Sequence, residues 1–168
     1  MKHILLVMTV LLLSACGYHL RGSLNLPEGL KTIYIQGASS PLRNALKQVL
    51  RSADATLVDN AKDAGLVIKV EKETMQRHAL SLSDTGRANE YELSYRLGFL
   101  LLDSQGNVLA KTQPVEITRD YFNDQEELLG KDNEEQVIRK EMYRQAITAM
   151  LNRSRIVVGK IAKLTPNK

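Results

Sequence analysis

The stretch Tyr91-Glu92-Leu93-Ser94-Tyr95-Arg96-Leu97-Gly98-Phe99-Leu100-Leu101 decides the fold, because it carries the strongest alternation in the chain. Apolar or aromatic residues stand at every second position from Tyr91 to Leu101. Successive side chains of a strand point to opposite faces of its sheet. The pattern therefore predicts a strand with one face buried in a core.

The neighbouring segments predict further strands. Asp103–Asn107 has the composition of a hairpin loop, in which Gly106 is suited to a positive φ angle. The return strand covers about Val108–Tyr121, and Pro114 predicts an edge position or a bulge there, because proline cannot donate a ladder hydrogen bond. Upstream, Leu66–Thr74 also alternates and predicts another half-buried strand.

Two helices accompany these strands. The first follows Thr32–Ile35, a β-branched and aromatic run that predicts the first strand. Ser40 is its expected N-cap, with Pro41 at the first helical position. The second helix is longer and begins at Asp132, which forms a capping-box pattern with Glu135 three residues later. Both helices have an apolar stripe at helical spacing, so each has one side to bury.

The order of these elements predicts an α+β fold. It is a two-layer sandwich in which a mostly antiparallel, four-stranded sheet packs against two helices. Thr56–Val58 is a candidate for a further short strand. Residues 31–162 form a single domain in this prediction, and residues 163–168 form a frayed tail, because the apolar pattern thins out after Ile161.

The amino-terminal residues have the features of a lipoprotein signal peptide. Lys2 precedes an apolar run, Ile4–Leu13, of about ten residues, and a bilayer core needs roughly 20. Small residues precede the cysteine in Leu13-Ser14-Ala15-Cys16, which is typical of cleavage and lipidation at that position. We therefore expect residues 1–15 to be removed; the alternative is an ordinary secretory leader with a cysteine nearby.

The anchor predicts where the protein lies. Cys16 would be acylated, and residues 16–30 would form a lipid-anchored segment. The next residue, Gly17, is not the aspartate that usually retains bacterial lipoproteins in the inner membrane. We therefore expect an outer-membrane lipoprotein that faces the periplasm.

Composition argues against several classes of function. Its 23 Lys and Arg against 19 Asp and Glu give a net charge of +4, a mild excess that favours anionic partners. There is no Trp and there are only 6 Tyr and 2 Phe, which argues against nucleic-acid binding by base stacking. After removal of the leader only His19 and His78 remain, and the single cysteine would carry the lipid, so neither a Cys–His pair nor a metal cluster can be assembled. We expect no cofactor, no metal and no enzymatic activity.

Asp84-Thr85-Gly86 resembles the catalytic turn of aspartic proteases. That site needs two such aspartates that share a proton. The sequence has one copy, set among polar residues. The triplet is therefore interpreted as a polar hairpin loop.

A binding surface is left as the basis of function. Gln76–Arg87 places Leu80 and Leu82 between cations, and two interpretations are open. As a loop, this segment could bind an amphiphile, with the cations contacting the phosphates of the amphiphile and the leucines contacting its acyl chains. As a strand, it would carry solvated arginines. Lys131 lies just ahead of the predicted second helix. The N-terminus of a helix attracts anions and the lysine would add to that attraction. The alternative is a solvated lysine in a loop.

The segment Cys16-Gly17-Tyr18-His19-Leu20-Arg21-Gly22 resembles the Cys-Gly-aromatic-His-Leu-Arg start of the LptE family of lipopolysaccharide-assembly lipoproteins. Lys131-Asp132-Asn133-Glu134-Glu135, followed by Lys140-Glu141-Met142-Tyr143, is similar to that family's second helix and the loop before it. Glu90-Tyr91-Glu92-Leu93 is similar to its central strand. The resemblance extends over essentially the whole chain after the leader.

This resemblance implies a non-enzymatic subunit of the outer-membrane translocon that delivers lipopolysaccharide to the cell surface. Such a subunit plugs the lumen of the β-barrel partner LptD, assists its assembly and binds lipopolysaccharide. Lys131 matches the family's basic residue before Asp-Asn-Glu. A second basic residue, ahead of the central strand, corresponds to Arg87, with Arg77 as its rival.

Two other classes compete with this interpretation. A lipid-anchored accessory subunit of a phospholipid transporter would share the anchor, the size and the α+β layout. A periplasmic hydrolase is the third, and it would depend on Asp84 or His78. A pull-down through the lipoprotein separates the first two, because it would recover either an outer-membrane barrel or an inner-membrane transporter.

Overall fold

One sheet and two helices make up most of the folded chain. The computed structural model describes residues 26–122 and 128–164, and within the second range it describes the side chains of residues 134–163. In chain order, the elements are a 3-10 turn Glu28–Leu30, β1 Thr32–Gln36, α1 Ser40–Ser52, β2 Thr56–Leu57, a 3-10 turn Ala61–Asp63, β3 Leu66–Leu82, β4 Ala88–Leu102, β5 Val108–Phe122 and α2 Leu128–Leu164.

The sheet is mixed and its strand order is β2-β1-β3-β4-β5. Strand β1 runs parallel to both β2 and β3, whereas β3–β4 and β4–β5 are antiparallel. The α+β class with two helices is confirmed. The count of four strands was wrong, because Thr56–Leu57 pairs with β1 as a fifth strand. Two residues are too few to show a period in the sequence.

The alternation in β4 lies at the centre of the core. Leu93, Tyr95, Leu97, Phe99 and Leu101 are each at most 2% exposed. They share one buried cluster with apolar residues of both helices, including Leu42, Leu46 and Leu50 of α1 and Met142, Ala146 and Met150 of α2. Burying one such side chain stabilises a protein by about 1.5–3 kcal/mol. Strand β4 therefore holds both helices on one face of the sheet.

The other face of the sheet is largely exposed in the described part of the chain. Arg96 on β4 pairs with Glu116 on β5 at 2.7 Å, and the two side chains are 55% and 57% exposed. Thr118 and Asp120 on β5 are exposed as well. The protein thus has two layers, and its second sheet face is polar around Arg96, Glu116 and Thr118.

Helix α1 begins one residue earlier than predicted. Its N-cap is Ser39 and not Ser40, because the Ser39 hydroxyl accepts a hydrogen bond from the backbone N–H of Leu42 at 3.3 Å. The backbone N–H and the hydroxyl of Ser39 also donate to the carboxylate of Glu73 on β3, at 2.9 and 2.6 Å. This contact with the sheet selects the cap between two adjacent serines.

Helix α2 also begins earlier than predicted. It starts at Leu128, so Asp132 is the fifth residue of the helix and not its cap. Gly130 does not end the helix, because a glycine costs only about 1 kcal/mol in a helix interior. An acidic residue near a helix N-terminus is favourable with or without capping, which is why the sequence pattern was misleading. The helix continues to Leu164, two residues beyond the predicted domain boundary.

Strand β3 is longer than the alternating segment that predicted it. It continues through Arg77 to Leu82, with register shifts at Val70/Lys72 and near Ser81. Of the two interpretations of Gln76–Arg87, the strand is therefore confirmed as far as Leu82. The edge position predicted for Pro114 is also confirmed, since β5 is the last strand of the sheet.

The predicted leader and Cys16 lie outside the described residues. Among the helices that are described, none combines the length and the apolar character needed to cross a membrane.

Candidate functional site

The turn between β3 and β4 forms the tip of a long hairpin. The N–H of Ser83 donates to the carbonyl of Arg87 at 2.6 Å, and the N–H of Gly86 donates to the carbonyl of Ser83 at 2.8 Å. Gly86 has a φ of 76°, which favours glycine. The Ser83 hydroxyl accepts from the N–H of Arg87 at 3.2 Å. Asp84 and Thr85 are therefore ordinary turn residues.

Three large apolar side chains are exposed beside this turn. Leu80, Leu82 and Phe122 are 51%, 64% and 71% exposed. The ladder pairs Leu82 with Ala88, and it pairs both Ser81 and Phe122 with Glu90, so the three side chains lie at the same end of the sheet. Together with the exposed Arg87 they form what we call the hairpin-tip surface. It combines apolar area with a cation.

Arg77 lies on β3 and is engaged by its neighbours. Its Nη1 donates to Oε2 of Glu135 on α2 at 3.1 Å. Its guanidinium carbon stands 4.6 Å from the centre of the Tyr91 ring, a cation–π distance. The Tyr91 ring stacks on Tyr121, with the ring centres 5.6 Å apart. Arg77 therefore joins the sheet to α2, whatever else it binds.

Glu135 is the acceptor at the centre of this cluster. Besides Arg77, it accepts a short hydrogen bond from the Tyr121 hydroxyl, and Arg139 donates to it at 2.6 Å. Burial by itself opposes ionisation of the carboxyl, but the bonds from Tyr121, Arg139 and Arg77 outweigh burial and hold the pKa of Glu135 below its usual value. Burial and the bond to Glu135 raise the pKa of Tyr121 to about 12. We call these residues, with Tyr91, the Glu135 cluster.

The three cations predicted from sequence lie in different settings. Arg87 is at the turn, and Arg77 is five residues before Leu82 on β3, or about 17 Å away along the strand. Lys131 is in the first turns of α2, four residues before Glu135, which is about 6 Å along the helix. The structure therefore separates Arg77 from Arg87, and the Glu135 cluster ties the helix that carries Lys131 to the sheet near Arg77.

Sequence reasoning missed Phe122 and Glu135 as members of this region. Phe122 is the last residue of β5 and lies on the opposite face from Tyr121. Continuing the alternation of the strand by one residue would have predicted an exposed aromatic side chain there. Glu135 was taken only as part of a capping box. Arg139 is a local partner, four residues later in the helix, but Tyr121 and Arg77 are 14 and 58 residues away, and no local pattern reports those two.

The comparisons with known proteins decide the family. The model of the family described as "LptE: Lipopolysaccharide-assembly" matches residues 30–154. The chain belongs to the LptE family. The resemblance noted in the sequence is thereby confirmed.

Relatives of known name agree with the family. LptE, the LPS-assembly lipoprotein of Photorhabdus laumondii, is 29% identical over 145 residues, which cover 85% of this chain and 79% of that protein. The protein of the same name from Pectobacterium atrosepticum is 27% identical over 164 residues, or 93% of this chain and 85% of that protein.

Solved structures share the fold. Lipoprotein B of Nitrosomonas europaea aligns with a TM-score of 0.69 at 28% identity, over 88% of this chain and 96% of that chain. Rare lipoprotein B of Shewanella oneidensis aligns with a TM-score of 0.61 at 28% identity, over 77% of this chain and 98% of that chain.

Membership of the LptE family assigns the general role. The protein is a non-enzymatic lipoprotein of lipopolysaccharide assembly, and the prediction that it is not an enzyme is confirmed by the family. In the described part of the chain no three His, Cys, Asp or Glu side chains are grouped as a metal site would require. His78 and Asp84 are both exposed, the first on β3 and the second in the turn.

Proposed function

We propose that this LptE-family lipoprotein is a subunit of the outer-membrane lipopolysaccharide translocon. In this proposal it sits in the lumen of the β-barrel LptD, assists assembly of that barrel, and binds lipopolysaccharide for delivery to the cell surface. The hairpin-tip surface is the observation that carries the binding part. There, the side chains of Leu80, Leu82 and Phe122 are exposed beside the exposed Arg87.

The chemistry of the hairpin-tip surface suits a phosphorylated amphiphile. Leu80, Leu82 and Phe122 offer apolar area for acyl chains, and a side chain of this size gains about 1.5–3 kcal/mol on full burial. Arg87 and Lys131 are the cations proposed for the phosphates, because charge-assisted bonds to phosphate are the stronger kind. Arg77 is the third candidate, but its guanidinium already donates a hydrogen bond to Glu135.

The polar sheet face supports the proposal of a barrel partner. The lumen of an outer-membrane barrel is polar, whereas its outer surface is apolar. The exposed face with Arg96, Glu116 and Thr118 is suited to such a polar wall. The tip with its apolar side chains would remain available for lipid.

The proposed anchor places the protein in the membrane. Residues 1–15 would be removed, Cys16 would be acylated, and residues 16–30 would link the lipid to the folded domain. A terminus that carries two or three acyl chains is held in a bilayer more firmly than a terminus that carries one. The domain would then face the periplasm and the barrel lumen.

Binding is tested on the full lipoprotein in nanodiscs of neutral phospholipid. The double change Arg87→Asp with Lys131→Asp replaces attraction by repulsion and should weaken binding of lipopolysaccharide by at least about tenfold, or 1.4 kcal/mol. The matched control is Lys47→Asp with Lys62→Asp, which makes the same change of charge away from the hairpin tip. Circular dichroism monitors folding. A folded double variant that binds as tightly as the control would refute the assigned cations.

The partner is tested by pull-down through the lipoprotein from outer and inner membranes. Recovery of LptD in a stoichiometric complex supports the proposal. Recovery of an inner-membrane transporter instead would favour the accessory subunit of a phospholipid transporter. Cys16→Ala should abolish incorporation of labelled palmitate, and label that persists on this variant would refute the anchor.

A further inference from the structure

A hollow of about 830 Å³ lies between the two helices, on the side away from the sheet. On α1, its lining runs from Pro41 to Ser52, a distance of about 16 Å along the helix axis. On α2, its lining runs from Gln136 to Arg144. It is an elongated trough, which we call the interhelical groove.

The floor and the wall of the interhelical groove differ in chemistry. Ala45 and Val49 of α1, with Tyr143 of α2, give it an apolar floor. Arg139, Lys140 and Arg144 stand along the α2 side. The carboxylate of Glu141, which also lines the groove, is paired with Arg144 at 3.0 Å.

Lys140 differs from the other two cations of this wall because its charge is not balanced by an ion pair in the described ranges 26–122 and 134–163. Arg139 bonds to Glu135, and Arg144 bonds to Glu141. Lys140 is exposed, and it forms no ion pair with any residue of the described ranges 26–122 and 134–163. An ammonium group beside an apolar floor is suited to an anion that is attached to an apolar chain.

The charge of the whole helical layer has the same sign. The sequences of α1 and α2 contain 11 Lys and Arg and 4 Asp and Glu, an excess of seven. Since the chain has a net charge of +4, the rest of it has a net charge of −3. Helix α1 contains no acidic residue at all. An anionic ligand would therefore be drawn to the helical side of the molecule.

A second, smaller hollow connects the interhelical groove with β3. Pro41 and Tyr143 line both hollows, and the second one reaches Glu73 and Met75 on β3. Met75 is two residues before Arg77, which belongs to the Glu135 cluster. A path along the surface thus leads from the interhelical groove towards the proposed lipid site at the hairpin tip.

We propose that the interhelical groove binds an acyl chain of an anionic amphiphile, with the chain on the Ala45 and Val49 floor and the phosphate at Lys140 and Arg144. This inference rests on the proposed binding of lipopolysaccharide and adds a second contact to it, remote from the hairpin tip. The juxtaposition of an apolar trough with uncompensated positive charge is the observation that carries it.

The test uses tetradecyl phosphate that carries a diazirine, with the full lipoprotein in phosphatidylcholine nanodiscs. After irradiation, labelled peptides are identified by mass spectrometry. We expect label within residues 41–52 and 136–144. Lys140→Glu should reduce that label by about tenfold. The matched control Lys47→Glu makes the same charge change on the exposed side of α1, outside the groove lining, and should leave the label within about twofold.

The floor is tested separately. Val49→Asp places a charge on the apolar surface and should abolish the label, with circular dichroism as the folding control; should it unfold, Lys140→Glu decides alone. An excess of inorganic phosphate should not displace the label, and tetradecanol should compete only weakly. Displacement by inorganic phosphate would show an anion site without an acyl site and overturn the inference.

Failure here and failure of the proposed function give different results. Lipopolysaccharide binding that is weakened by Arg87→Asp with Lys131→Asp, together with groove label that is equal in Lys140→Glu and Lys47→Glu, would leave the function intact and overturn the groove. Groove label that depends on Lys140 without any binding of lipopolysaccharide would support the groove and refute the function. If Val49→Asp abolishes recovery of LptD but leaves the label unchanged, the groove is a protein contact and the inference is overturned.

Discussion

Arg77 on β3 donates a hydrogen bond to Glu135 on α2 at 3.1 Å, across 58 residues of sequence. The guanidinium also lies on the Tyr91 ring, at 4.6 Å from its centre. Arg77, which was predicted from sequence as a candidate for binding lipopolysaccharide, is thus part of the link between α2 and the sheet. A change at this position affects the fold first, and any effect on lipid binding has to be separated from it.

Arg77→Ala should destabilise the protein by about 1–2 kcal/mol. Glu135 is only 18% exposed and would lose one of its donors, while Tyr121 and Arg139 remain. The loss of the cation–π contact adds to the effect. Urea unfolding followed by circular dichroism measures it. Arg77→Lys keeps the charge and should be intermediate, and Lys47→Ala on exposed α1 should change stability by less than about 0.5 kcal/mol. Equal stabilities of Arg77→Ala and Lys47→Ala would contradict the link.

The Glu135 cluster should make stability depend on acid. Folding lowers the pKa of Glu135, so the folded state stabilises the ionised form of this carboxyl group relative to the unfolded chain. Its contribution is present above the usual pKa of 4.5 and is lost as the pH falls through the lowered value. The stability difference between the parent and Glu135→Gln should therefore shrink below that pH. Glu134→Gln removes the same charge from an exposed neighbour. A difference for Glu135→Gln that stays constant down to about pH 3 would argue against the assignment.

The two serines before Pro41 provide a test of the cap. Ser39→Ala removes the acceptor for the N–H of Leu42 and a donor to Glu73, so it should cost about 1–2 kcal/mol. Ser40→Ala, at the position chosen from sequence, should be close to neutral, because Ser40 is exposed and is the first helical residue. Thermal unfolding of the two variants compares them directly. A larger loss for Ser40→Ala would restore the prediction from sequence.

The parts of the fold that were predictable are those with one buried face. The pattern from Tyr91 to Leu101 shows its burial in the sequence, because every second side chain enters the core. The end of β3 does not, since Gln76, Arg77, His78, Ala79 and Leu80 are all exposed. This part of the strand is held by backbone bonds to β4, which carry no side-chain signature.

The misplaced helix starts and the Glu135 cluster have a different cause. Ser39 and Ser40 are chemically equivalent caps, and a partner 34 residues away selects between them. Asp132 has the local signature of a cap, but the helix begins four residues earlier. For Arg77, the sequence shows a charge but not its partner. For Ser39 and Arg77, a contact that is distant in sequence decides the outcome, and the local residues do not report it.

Glu73 should contribute more to stability than any other carboxylate on β3, because it joins three elements. It accepts from the N–H and the hydroxyl of Ser39 at the start of α1, and from the hydroxyl of Tyr95 on β4 at 3.1 Å. Tyr95 is fully buried, so Glu73→Ala leaves a buried hydroxyl without this partner. We expect a loss of about 2–3 kcal/mol.

A double-mutant cycle isolates the bond between Glu73 and Tyr95. Tyr95→Phe alone should cost about 1 kcal/mol, since it removes the donor but keeps the ring in the core. In the Glu73→Ala background, the same change should cost little or nothing, because the hydroxyl has already lost its acceptor, and the coupling should be about 1 kcal/mol. Urea unfolding of the four proteins provides the values. Glu71→Ala, at the exposed carboxylate two residues away, serves as the control background, and there Tyr95→Phe should keep its full cost. If the effects of Glu73→Ala and Tyr95→Phe were simply additive, the carboxylate would stabilise α1 through Ser39 alone, and the role assigned to it in the core would be wrong.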